Sequence, residues 1–301
     1  MTDPSRASLE SRVSETARPF RSFSSLIRVD VSALTHPGFV RPNNEDQFFV
    51  TRLTRSLETM LSSIPQGAVP ERTNEINYVM VVADGMGGHA GGEVASQMAI
   101  SALVKLALDV PDWFFRVDKD HVSEIEQRTR RIVQQVDSEL IERAHQDETL
   151  RGMGTTLTGA RSLGRDLLIA HVGDSRAYLL RAGRLQRLTR DHTYAQLLVE
   201  TGQLQESEAA TSPARHILTN VLGGTDEHVE VDVDMMQLED GDRLLLCSDG
   251  LTDRVEDDAI AQTLGGTATS QDACAQLLQL ALDKGGRDNV TIIVAGYHFP
   301  A

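Results

Sequence analysis

An α+β fold of antiparallel sheets covered by helices is predicted by three observations. Short apolar runs of strand length recur along the chain, several separated by two or three residues that include a glycine. Strands so close in sequence must pair antiparallel, because parallel neighbours need crossovers of a dozen residues or more. Three longer stretches instead carry apolar residues at helical spacing. The resulting order of strands, two helices, strands, helix and strand places helices against sheets in one domain of roughly 270 residues, taken as 26–298.

The elements follow in order. Residues 1–25 are rich in Ser and Arg and poor in apolar periodicity, and read as a disordered tail. Asp3, Glu10 and Glu15 interrupt its basic character and argue against a transit peptide. From Leu26, LIRVDVSAL alternates as a half-buried strand does, and QFFVTRL (47–53) is a second strand. Pro65, Gly67 and Pro70 mark 54–76 as an inserted loop, long enough to cover a channel mouth or meet a partner. YVMVVA (78–83) is a short buried strand. Residues 93–108 and 122–144 are amphipathic helices, the second with a strongly charged outer face.

Then come strands at 155–163, 166–172, 176–182 and 184–189, with Gly164 and Gly183 at hairpin turns. Thr155 and Thr156 read as structural strand residues. Residues 191–220 mix short helical pieces with Pro213; strands follow at 229–236 and 242–248. A helix over 270–284 and a closing strand over 289–297 complete the chain.

Composition narrows the function. An apolar fraction of 40% with 24% charged residues suits a soluble globular protein. No apolar run reaches the 18 residues of a membrane span, and the start lacks the apolar core of a secretory signal. A net charge of −15 repels a phosphate backbone, so nucleic acid is not an expected partner. Cys247 and Cys274 lack CxxC spacing and read as reduced core thiols, which points to a cytoplasmic setting.

One pattern recurs among the strands. An apolar run ends, and an aspartate follows beside a small residue: Asp84-Gly85, Asp174-Ser175 and Asp249-Gly250. Asp288-Asn289 and Glu45-Asp46 stand just before apolar strands instead. One Asp-Gly is a common turn signal. Several on one sheet rim would repel each other, and divalent cations relieve that repulsion. Oxygen donors suit hard ions such as Mg²⁺ or Mn²⁺. No His/Cys cluster for zinc is present, nor an EF-hand loop. The glycine-rich segment 84–92 has neither GxGxxG nor GxxxxGK[ST] spacing, so its glycines are read as letting backbone approach a metal rather than a nucleotide.

VADGMGGHAGGEVAS, GTTLTGA, HVGDSRAYLLR, LTRDHTY, LTNVLGG, LLLCSDGLTD and GGRDNVTIIVA stand in an order that resembles the metal-dependent serine/threonine protein phosphatases of the PPM (PP2C) type. RPNNEDQFFV resembles the opening motif of that family, and DGMGGH its bacterial branch. The resemblance covers about 27–297. It implies a four-layer α-β-β-α sandwich with metals in a channel between two antiparallel sheets. It implies hydrolysis of phosphoserine and phosphothreonine in proteins, by a metal-bridged water or hydroxide attacking phosphorus in line, with two core Mn²⁺ or Mg²⁺ ions and a third.

By motif matching, Asp84 bridges the core metals, the Gly85 carbonyl joins one, and Asp249 and Asp288 bind the other. Glu45 and Asp46 match acids that hold the metal shell directly or through water. Asp174, Asp249 and Asp253 match a third-metal site, and Arg41 the arginine that grips the substrate phosphate. Met86 stands where many eukaryotic members carry a histidine; nearby His89 is the candidate to protonate the leaving group or orient the phosphate. Residues 194–220 match the family's flap, where Arg215 is read as pairing with an acid rather than touching substrate. Phosphoproteins, among them targets of Hanks-type kinases, are the implied partners of a monomeric enzyme. A non-catalytic phosphoprotein-binding member would be expected to lack a core ligand, and Asp84, Asp249 and Asp288 are all present.

Overall fold

The computed structural model describes residues 27–65, 69, 71–87, 91–108, 122–224 and 229–299. The tail expected over 1–25 lies outside them, as does His89. One sheet contains β1 (Arg28–His36), β7 (Arg176–Arg181), β8 (Arg184–Arg187), β10 (Arg243–Cys247) and β11 (Val290–His298), in the spatial order β1-β11-β10-β7-β8. The other runs β2 (Asp46–Glu58), β3 (Arg72–Met86), β5 (Leu157–Leu163), β6 (Asp166–Val172), β9 (Asp232–Gln237), with the short β4 (Gly154–Thr155) on the end of β3. Every pairing is antiparallel.

The apolar runs are continuous because most of these strands are covered on both faces. Side chains alternate across a strand. Thus Leu244 and Leu246 of β10 and Ile293, Ala295 and Tyr297 of β11 meet Met80 and Val82 of β3 between the sheets. Leu245, Cys247, Ile292 and Val294 face the other way, onto α6 (Asp257–Gly266) and α7 (Ser270–Asp283). Val81 and Ala83 of β3 likewise pack on α1 (Gly91–Leu108) and α2 (Val122–Gln146) through Ala95, Ala99, Val133, Val136 and Leu140. Three apolar layers therefore join four layers of secondary structure, as the resemblance implied. Cys247 and Cys274 are buried and free. No described helix is long and apolar enough to cross a membrane.

Turn chemistry agrees with expectation at both hairpins. Gly164 has φ +61°, and Ala182-Gly183 has φ +49° and +78°, the left-handed pair that matches strand twist. One reading is corrected. Segment 54–76 is not a simple loop: β2 and β3 run on as a two-stranded ribbon, paired from Leu53↔Asn77 to Glu58↔Arg72. β5 pairs with β3 only over Asn77–Val82, and the β2 half of the ribbon is exposed along its length, so no buried face writes an alternating pattern into it. The acidic stretch after Val255, to which the sequence assigned no element, opens α6, where Asp257 and Asp258 favour the positive end of the helix.

Leu246 is fully buried between the sheets. Leu246→Ala should cost about 2–5 kcal/mol, seen as a lower denaturant midpoint with an unchanged slope.

Candidate metal centre

Strand register brings the acids together. Asp46 opens β2 and Asp84 lies near the end of β3, and the two are directly opposed in the antiparallel ladder. Like charges so placed repel. Glu45 precedes Asp46, and Gly85 N–H donates to the Glu45 carbonyl at 3.2 Å. Asp249 begins α5 (Asp249–Thr252) directly beyond β10, with Asp253 capping its end. Asp288 stands two residues before β11, and Asp174 lies in the turn between β6 and β7. A cavity of about 790 Å³ is lined by Arg41, Glu45, Asp84, Gly85, Asp174, Asp249, Asp253 and Asp288. Among the described residues, all the expected site residues except Asp46 and Arg215 therefore line one space. Asp46 lies just behind it, 1% exposed.

Close approach explains the glycines. A Cβ on Gly85 would stand 2.0 Å from the Gly92 carbonyl oxygen, and one on Gly92 would stand 2.6 Å from Glu45 Oε2. The first turn of α1 thus rests directly on the site. A Cβ on Gly250 would meet the Asn289 carbonyl oxygen at 1.9 Å, so α5 can lie against the start of β11 only with glycine after Asp249.

Hydrogen bonds fix the frame. Asn289 accepts from Glu45 N–H at 2.7 Å and donates to the Pro37 and Asn43 carbonyls at 2.9 Å each. It thereby staples the loop carrying Arg41 and Glu45 to β11. Asp84 N–H donates to Thr156 Oγ1 at 3.0 Å, and Thr156 N–H to the Asp84 carbonyl at 2.9 Å. Thr155 and Thr156 are buried, in keeping with a structural role. Ser248 Oγ donates to Asp46 Oδ2 at 2.7 Å, whereas among the described residues Asp46 Oδ1 is buried without a hydrogen-bond partner.

The electrostatics follow from this packing. Desolvation pushes the Asp46 carboxyl up to about 6, with the Ser248 hydrogen bond opposing. Asp174 rises to about 7 through desolvation and then Asp191. Asp84 and Asp249 are driven well above the carboxylate range, by desolvation first and then by neighbouring acids, Asp46 foremost for Asp84 and Asp174 for Asp249. Glu45 also rises, desolvation outweighing Arg41. Each holds its proton more readily than a free carboxyl does, and a cation sharing the space would favour the charged form.

Arginines meet two of the acids at the rim. Arg41 Nη2 donates to Asp288 Oδ2 at 2.6 Å. From the flap, Arg215 Nη2 lies 3.4 Å from Asp253 Oδ1 and His216 Nδ1 3.6 Å from Asp253 Oδ2. Arg215 does pair with an acid, but with one lining the cavity. His216, Asp249 and Asp253 offer ligand atoms all within 4.8 Å of one another. His216 was not singled out in sequence, nor were Asn289, Ser248 and Arg254; Asn289 and Ser248 flank expected acids, which was the available signal.

A family model described as protein phosphatase 2C matches residues 68–283. The serine/threonine protein phosphatase PstP of Mycobacterium tuberculosis is 38% identical over 266 residues, 88% of this chain. The alignment takes in only 44% of PstP, so this chain spans less than half the length of that relative. An S. agalactiae serine/threonine phosphatase structure superposes with a TM-score of 0.73 at 32% identity, covering 91% of this chain and 100% of that one. The PstP catalytic domain in complex with two manganese ions gives 0.69 at 34% identity, covering 90% and 99%. With two-thirds of its length matched by the family model and this cavity at the rim of two sheets, the chain belongs to the protein phosphatase 2C family.

Proposed function

We propose that this chain hydrolyses phosphoserine and phosphothreonine in proteins, using divalent cations held by the cavity acids. The observation that carries the reading is Asp46 Oδ1, a buried carboxylate oxygen with no hydrogen-bond partner among the described residues, set opposite Asp84 just behind an oxygen-rich cavity. The donor set fits a hard ion: carboxylates and one backbone carbonyl, within reach of water. Asp84, the Gly85 carbonyl, Asp249 and Asp288 would hold the core ions, with Glu45 and Asp46 binding directly or through water. Asp174, Asp249 and Asp253 would hold a third. Mn²⁺ or Mg²⁺ bound there supplies an activated water for in-line attack on phosphorus and charge to offset the phosphoryl oxygens.

The remaining work falls to the chain itself. Arg41 presents a planar fork, one arm of which Asp288 orients, and its other donors can grip two phosphoryl oxygens as charge spreads over them. Asn289 holds the loop on which Arg41 and Glu45 sit, so the fork and the acids keep one mutual geometry. Met86, 37% exposed at the cavity wall, offers no proton. Leaving-group protonation is assigned to solvent or to His89, which lies outside the described residues. Targets of serine/threonine kinases of the Hanks type are the expected substrates of a bacterial-type member.

The purified chain should hydrolyse p-nitrophenyl phosphate with added Mn²⁺ and stop on adding EDTA. Asp84→Asn should lower turnover by at least about 100-fold while retaining the parent circular dichroism. Turnover that ignores EDTA, or survives Asp84→Asn, would sink the proposal.

Stability should respond to pH in a definite direction. A carboxyl whose folded pKa exceeds its unfolded value of about 3.9 holds its proton better when folded, so stability falls as pH rises between the two. For Asp46 and Asp174 that window runs up to about 6 and about 7. In EDTA the melting temperature should therefore drop from about pH 5 to pH 8, and Mn²⁺ should raise it more at pH 8 than at pH 5. An equal Mn²⁺ shift at both pH values would show that these acids do not hold the ion.

A further inference from the structure

The cavity contains a cation that nothing yet described employs. Arg254 lines it on the side of the flap, together with His216 and Leu218. Its backbone is tightly fixed. Arg254 N–H donates to the Leu251 carbonyl at 3.1 Å, Val255 N–H to the same carbonyl at 2.9 Å, and Leu251 and Val255 are buried. The side chain is only partly buried. Among the described residues its guanidinium makes no hydrogen bond and no ion pair.

That freedom is unexpected in so acidic a place. Six carboxylates line the same cavity, and a nearby arginine would ordinarily be captured by one of them. The other two arginines at the site are captured: Arg41 by Asp288, and Arg215 by Asp253 and the Ala210 carbonyl. Asp253, the immediate neighbour of Arg254 in the chain, already has Arg215 and His216 against it from the flap. The flap thus occupies the acid next door and leaves Arg254 free. A scissile phosphate gripped by Arg41 would lie on the Asp288 side, and Arg254 stands on the Asp253 side of the same opening.

We propose that Arg254 is a specificity-determining residue, which receives a second anionic group on the substrate, an acidic side chain or a second phosphate close to the phosphorylated residue. This rests on the phosphatase reading above. Guanidinium suits either group, because its fork matches both carboxylate and phosphate oxygens. The substrate class favoured is therefore acidic or multiply phosphorylated peptide, with Arg254 acting through binding rather than on the reacting phosphorus.

The experiment uses the full chain with Mn²⁺ and three phosphothreonine peptides. One has neutral flanks, one carries glutamate near the phosphothreonine, and one carries a second phosphothreonine there. The parent should favour the two anionic peptides over the neutral one by roughly fivefold in kcat/KM, mostly through KM, and less so at high salt. Arg254→Gln should bring the ratios close to one, and Arg254→Lys should restore part of the preference. The glutamate and bisphosphorylated arms separately report which anion is taken. A parent without preference, or a preference that survives Arg254→Gln, overturns the inference. So does an equal loss on all three peptides, which would place Arg254 on the scissile phosphate or in the frame. If the parent cleaves none of the three, the phosphatase reading itself fails, and a preference with no catalysis to express it fails with it.

Discussion

Two carboxylates face each other across a pair of hydrogen-bonded strands, and much of this molecule's architecture can be understood from that one contact. Asp46 and Asp84 are opposed in the β2–β3 ladder, at the end of the sheet that meets the cavity. In an ordinary sheet such a pair would be selected against. Here the surrounding packing makes the repulsion worse, since desolvation raises both groups. Ser248 satisfies one oxygen of Asp46, and no described residue hydrogen-bonds the other. The fold holds an electrostatic deficit in a fixed place, and the three apolar layers stabilise it.

Holding the deficit requires that backbone come closer than side chains permit. Gly85 against Gly92, and Gly250 against Asn289, are contacts of that kind. They let the start of α1 and the whole of α5 press onto the acids, so the donors converge from five separate chain segments with little room to drift. Asn289 does the same by hydrogen bonding, tying the 37–45 loop to the last strand. A single residue therefore sets the distance between Glu45, Arg41 and Asp288.

How much of this was legible in the sequence depended on whether a feature was local. Buried strands are local, and runs such as LLLC and VTIIVA were read correctly because both faces are apolar. The acids at strand ends were also local, each beside its turn residue, and the family resemblance ordered them. The ribbon of 53–58 and 72–77 was missed because its β2 half is exposed throughout, so no buried face imposes an alternating pattern there. Ser248 and His216 were missed for a different reason. Their roles exist only through contacts with Asp46, more than 200 residues earlier, and with Asp253 across the flap. Arg254 belongs to the same class, since its significance lies in which acids are already taken.

The acids differ in what can neutralise them, and size decides the division. Asp288 and Asp253 have side chains 37% and 21% exposed and meet arginines, whose planar heads can stay partly hydrated there. Asp46 is 1% exposed, and no guanidinium could follow it inward without opening the sheets. Only a proton or a small, dense cation can reach that depth. A proton suffices at low pH but leaves nothing for chemistry at neutral pH. A divalent ion at the same place restores the charged carboxylates and faces the cavity where Arg41 is already oriented. The rim arginines and the buried acids are thus complementary solutions to one repulsion, and the boundary between them is where a phosphate group would bind.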